Sequence, residues 1–123
     1  MRQVCVIGEA DPFVARLLYR FVEESGLEAA LAQVGQQVLE LAREAKPKVI
    51  ILEIELPGQV RGWEAVHALK ADPETHHIPV IICSWLNEAE TRALAGDVEG
   101  HLRKPDLHYD DFLAALRGVG VKL

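Results

Sequence analysis

The stretch Val49-Ile50-Ile51-Leu52-Glu53-Ile54-Glu55-Leu56-Pro57-Gly58 carries the strongest strand signal in the chain. Four apolar residues in a row suit a strand covered on both faces, the usual condition of a parallel sheet. An alternation of acidic and apolar residues continues the signal through Leu56, and Pro57-Gly58 breaks it. Glu53 therefore stands just past a buried run, where a carboxylate needs a reason to be.

The same pattern repeats on both sides. Toward the N-terminus, Val4–Ile7 is another short apolar run, followed by Asp11-Pro12, an N-cap residue with proline in the first helical position. Phe13, Leu17, Leu18, Phe21 and Val22 then recur at helical spacing up to Gly26. Leu27–Ala32 predicts a weaker strand, and Val38, Leu39, Leu41, Ala42 and Ala45 a second helix ended by Pro47. Toward the C-terminus, Trp63, Val66, Leu69 and Lys70 mark a third helix that closes near Asp72-Pro73. Ile78–Cys83 predicts a fourth strand, and Asn87-Glu88-Ala89-Glu90 a capping box opening a helix to Ala95. Val98–Leu102 predicts a fifth strand, and Asp110, Asp111, Phe112, Leu113 and Leu116 a last helix with acids at its positive end.

Five strand–helix units in succession predict one α/β domain over residues 1–123: a three-layer (βα)5 arrangement, with a five-stranded parallel sheet and helices on both faces. Ligands of such sheets bind beyond the carboxyl ends of the strands. That rule gathers Glu9, Glu53, Ser84 and Lys104 at one rim.

Composition narrows the function classes. The chain has 123 residues, half of them hydrophobic, and 13 Lys and Arg against 19 Asp and Glu leave a net charge of −6. An apolar share that large can build a core. The negative balance gives no general attraction to nucleic acid or to an anionic membrane. No apolar stretch approaches the ~20 residues of a membrane span, and Arg2 and Gly8-Glu9 leave no long signal-type run, so a cytoplasmic location is expected. Cys5 and Cys83 lie inside apolar runs and read as buried hydrophobes, without zinc-ligand spacing. His76-His77 reads as a solvated loop and His67 as a boundary residue. Ser84 has no triad-like His partner, and no glycine pattern suits a nucleotide, so no enzyme is expected.

Four motifs now become specific. Glu9-Ala10-Asp11-Pro12-Phe13-Val14-Ala15-Arg16-Leu17-Leu18, Leu52-Glu53-Ile54-Glu55-Leu56-Pro57-Gly58, His77-Ile78-Pro79-Val80-Ile81 and Leu102-Arg103-Lys104-Pro105 resemble, in order and over essentially the whole chain, the response-regulator receiver domain. The resemblance implies a CheY-like, flavodoxin-like fold and a place in two-component (phosphorelay) signalling. It implies an acidic pair after the first strand that holds Mg²⁺; those positions here are Glu9 and Ala10, while Asp11 reads as the helix cap. It implies a phosphate-accepting Asp at the end of the third strand, and Glu53 stands there. Ser84 matches the switch hydroxyl, Lys104 the phosphate-binding lysine, and His101 the place of an aromatic switch side chain. Trp85 occupies a usually small position beside the acceptor, where an indole restricts access by a donor. The loop from Pro57 to Gly62 is one residue longer than the common pattern.

These departures have physical consequences. Mg²⁺ wants octahedral oxygen geometry, and Ala10 removes a carboxylate and its charge; weak residual binding by Glu9 and Glu53 stays open. A Glu acceptor is one methylene longer, and even a ~1 Å misplacement costs ~100-fold in rate. The expectation is a divergent pseudo-receiver, a phosphorylation-independent protein-interaction module with no metal and no cofactor. Glu53 either stands in for the phosphorylated state by meeting Lys104 or Ser84, or is a relic ion pair; both remain open. Two alternatives stand beside this one. The first is a working receiver that binds Mg²⁺ through Glu9 and Asp11 and is phosphorylated at Glu53 or nearby. The second is a flavodoxin-like small-ligand binder, although Gly8-Glu9-Ala10-Asp11 would repel phosphate. The expected partner is a histidine kinase or a downstream effector docking through residues 85–117, a stretch that carries Trp85, His101, Leu102 and Tyr109. Nucleic acid and membrane are not expected partners, and a homodimer is left open.

Overall fold

The apolar runs form five strands, each followed by a helix, in a computed structural model that describes residues 2–123. In chain order the elements are β1 Val4–Gly8, α1 Pro12–Glu24, β2 Glu28–Ala32, α2 Gly35–Ala45, β3 Val49–Leu52, α3 Gly62–Ala71, β4 Val80–Ser84, α4 Glu88–Ala95, β5 Gly100–Arg103 and α5 Tyr109–Gly118. All strand pairs are parallel, and the sheet order is β2-β1-β3-β4-β5. The predicted fold class is therefore the observed one.

Strand side chains alternate between faces, and both faces are buried. Val6, Ile50, Leu52, Val80 and Ile82 enter one core with Val38 and Ala42 of α2, Val66 and Leu69 of α3, and Ala95 of α4. Cys5, Ile7, Val49, Ile51, Ile81 and Cys83 enter the other with Leu18 and Val22 of α1 and Phe112 and Leu116 of α5. Burying each large apolar side chain stabilises the fold by ~1.5–3 kcal/mol. Covering both faces fixes the register, because a one-residue slip would send every strand side chain to the opposite face.

The local signals act as their chemistry requires. The Asp11 carboxylate accepts hydrogen bonds from the Phe13 and Val14 amides and caps α1. Asn87 and Glu90 form the reciprocal capping box of α4. Three boundaries differ from expectation by two residues or more. The alternation through Leu56 is not strand: β3 stops at Leu52, and the Leu56 amide turns back to the Glu53 carbonyl. Ile54 and Leu56 still drop into the α2–α3–α4 core, which is why they are apolar. Ile78 closes a turn on the Thr75 carbonyl, so β4 begins after Pro79. β5 spans Gly100–Arg103 and leaves out Val98, which packs against the core from the preceding loop.

Both cysteines are buried and unpaired with each other. Burial pushes the Cys5 thiol far up. Burial also lifts Cys83, where the Lys104 charge offsets it in part and Glu9 and Glu53 add to it, to about 12. Thiolate is the reactive form, so its population near pH 8 falls by about three orders of magnitude against a free cysteine. Native protein should give almost no colour with Ellman's reagent at pH 8, whereas protein unfolded in guanidinium should release two thiols. Rapid native labelling would show that the strands do not seal these positions.

Candidate functional site

Three strand ends carry the site. Glu9 follows β1, Glu53 follows β3 and Lys104 follows β5, and the backbone of each is tied to a neighbour. The Glu9 amide donates to the Ala32 carbonyl at 3.0 Å, Glu53 to Gly8 at 2.9 Å, and Lys104 to Ser84 at 2.9 Å. The ladder thus runs one residue past the strands and holds the bases of the three charged side chains. Gly8 lets the chains meet closely, since a Cβ there would stand 2.6 Å from a Leu52 methyl.

The side chains converge. The Lys104 ammonium donates to Glu53 Oε1 at 2.8 Å and lies 2.6 Å from Glu9 Oε1. All three residues are buried, with exposures of 5 %, 7 % and 3 % for Lys104, Glu53 and Glu9. The second oxygen of each carboxylate accepts a backbone amide: Glu55 donates to Glu53 Oε2 at 2.8 Å and Asp11 to Glu9 Oε2 at 3.1 Å. The Glu9–Lys104 contact falls outside hydrogen-bond angles, so Glu9 Oε1 is held by charge alone. Burying an ion costs several kcal/mol unless partners offset it, and here the ammonium has two carboxylates. Burial pulls the Lys104 pKa down, but the hydrogen bond to Glu53 and the charges of Glu53 and Glu9 outweigh it and hold the ammonium above the ordinary lysine range.

The other candidate residues lie apart from this triad. The Ser84 hydroxyl is buried and accepts the Leu86 amide at 3.2 Å; among the described residues it makes no hydrogen bond to Glu53. His101 faces α4, where Nδ1 lies 3.0 Å from Glu88 Oε1 and Nε2 is buried without a partner. Trp85 is 56 % exposed, and its carbonyl accepts from the Arg103 guanidinium at 3.0 Å. Ala10 is exposed and offers no side-chain donor, and Asp11 is occupied as the α1 cap. Two contacts were not foreseen from the sequence, Glu9 with Lys104 and Glu88 with His101. Only the strand order brings β5 within reach of the carboxyl ends of β1 and β3.

Comparison with known proteins agrees with this architecture. The family profile described as the response regulator receiver domain matches residues 4–117. The polar-differentiation response regulator DivK of Brucella anthropi is 35 % identical over 107 residues, covering 85 % of this chain and 86 % of that protein. Among solved structures, a sensor protein from Polaromonas sp. JS666 superposes with a TM-score of 0.84 at 25 % identity, covering 97 % of each chain. A response regulator from Chloroflexus aurantiacus superposes at 0.87 with 18 % identity, covering 97 % of this chain and 98 % of the other.

The raised Lys104 pKa sets an alkaline limit on stability. Its contribution is complete below the ordinary lysine value of ~10.4 and is lost as pH rises through the higher folded-state value. Lys104→Met removes the cation and leaves two buried carboxylates facing each other. Urea denaturation at pH 7 should show a loss of ~3–5 kcal/mol for this variant. Lys104→Met combined with Glu9→Gln and Glu53→Gln should recover much of it. A neutral Lys104→Met would contradict the burial of the pair.

Proposed function

This chain belongs to the response regulator receiver domain family of two-component signalling, and from that membership we propose that it signals by docking, without phosphoryl transfer to Glu53. One observation carries the reading: the Lys104 ammonium is already held between the Glu53 and Glu9 carboxylates, at 2.8 and 2.6 Å. The lysine at the family's phosphate-binding position has an anionic partner before any phosphate arrives. Glu53 takes the place of the negative group that the lysine would otherwise meet. It does so in part, since a carboxylate carries one charge and a phosphoryl group nearly two.

The donor set does not fit a divalent ion. Mg²⁺ needs near-octahedral oxygen ligands, usually one or two carboxylates with waters. Here one oxygen of each carboxylate faces an ammonium and the other accepts a backbone amide, while Ala10 supplies nothing. Phosphoryl transfer relies on positioning and on a metal to neutralise charge, and this rim favours neither.

The docking surface is residues 85–117, where Trp85 and Leu94 are exposed and His101 and Tyr109 half-buried. Its partner is a signalling protein of the same system, a histidine kinase or an effector, met in the cytoplasm. No described helix is long and apolar enough to cross a membrane.

Intact-mass analysis after incubation with MgCl₂ and a small acyl-phosphate donor should return the unmodified chain. A stoichiometric phosphoryl adduct on Glu53 would sink the proposal. Glu53→Gln keeps the size and removes the charge that holds Lys104. It should weaken capture of the cognate partner and shift the amide resonances of residues 100–104; unchanged binding would make the ion pair a relic.

A further inference from the structure

A cavity of about 500 Å³ opens at the amino ends of β1, β3 and β4, the rim opposite Glu53. Lys46, Lys48, Lys122 and His77 line it, and no acidic residue does. None of these four side chains makes an ion pair or a side-chain hydrogen bond among the described residues. Elsewhere in this chain of net charge −6, Arg43 pairs with Asp72, Lys70 with Glu99, Arg92 with Glu88 and Asp97, and Lys104 with Glu9 and Glu53, so the basic groups of this cavity stand apart from those ion pairs. The basic residues come from three separate places: Lys46 and Lys48 from the α2–β3 loop, His77 from the loop before β4 and Lys122 from the segment after α5. Lys46 ends α2 in a left-handed backbone, φ 47° and ψ 59°, which costs a lysine more than a glycine. A second cavity, of about 410 Å³, shares Lys46, His77 and Ile78 and is lined also by Arg43 and Glu74. Ile78 and Val121 give the first an apolar floor.

We propose that this cavity binds a small organic anion carrying two or more negative charges. Convergent cations around a concave site with low-dielectric walls focus the field on a ligand. The volume lies in the ~300–1,000 Å³ range of small-molecule sites, and the apolar floor takes the body of the ligand. The chemistry common to carboxylate and phosphate anions is what three ammonium groups recognise, since each is a point charge without the planar fork of arginine. The site is separate from Glu9, Glu53 and Lys104, so it stands or falls independently of how that rim signals.

Titrations followed by amide chemical shifts, at physiological salt and without divalent ions, test it with citrate and with ATP as probes. Saturable shifts confined to residues 46–48, 77–79 and 119–122 are expected, and the tighter probe identifies carboxylate or phosphate as the preferred group. Lys48→Gln with Lys122→Gln should weaken binding about tenfold or more while the amide spectrum elsewhere stays native. Affinity should also fall as salt rises. Unsaturable shifts, shifts spread over all surface lysines, or binding indifferent to the double variant would overturn the proposal.

Discussion

One buried ammonium between two buried carboxylates sets the terms for the carboxyl rim. The three charges arise just past the ends of β1, β3 and β5, and none is stable there alone. Their mutual contact requires the sheet order β2-β1-β3-β4-β5 and a ladder that runs past each strand end. The rim is therefore specified by backbone geometry first and by side-chain chemistry second. Two carboxylates against one ammonium leave the cluster negative, and the Glu55 and Asp11 amides spread that charge over neutral donors.

The scaffold beneath makes such precision possible. Strands buried on both faces cannot slip, and the two cores are filled from opposite sides of the sheet. Capped helices hold the loops that bear Asp11 and Trp85 in place. Placed so, the Lys104 ammonium is already engaged by the Glu53 and Glu9 carboxylates. The proposed signalling by docking rests on that engagement of Lys104 within the receiver fold.

Much of this was legible in the sequence, for reasons that differ by element. Val4–Ile7 and Val49–Leu52 declare themselves because a doubly covered strand must be apolar throughout. Asp11-Pro12 and Asn87 to Glu90 mark helix starts because their side chains satisfy amides that would otherwise lack partners. The stretch from Ile54 to Leu56 misleads, because a turn that drops two side chains into a core produces the same period as a strand. β5 is hard to bound because an edge strand reading Gly100-His101-Leu102-Arg103 is only partly buried. The Glu53–Lys104 contact was foreseen from family positions. The Glu9–Lys104 contact was not, since it depends on strand order, which linear sequence does not display. The four basic groups at the amino rim escaped notice for the same reason, lying as they do in separate loops.

The most direct test of the central claim reads Lys104 itself. Lysine labelled with ¹⁵N at Nζ gives an ammonium correlation that survives only when exchange with water is slow and hydrogen bonding holds the group. A persistent Lys104 signal that stays put through a millimolar MgCl₂ titration is the result predicted by an ammonium shared between Glu53 and Glu9. A saturable shift or loss of that signal, with matching movement of the Glu53 amide, would place the divalent ion where the lysine is said to be.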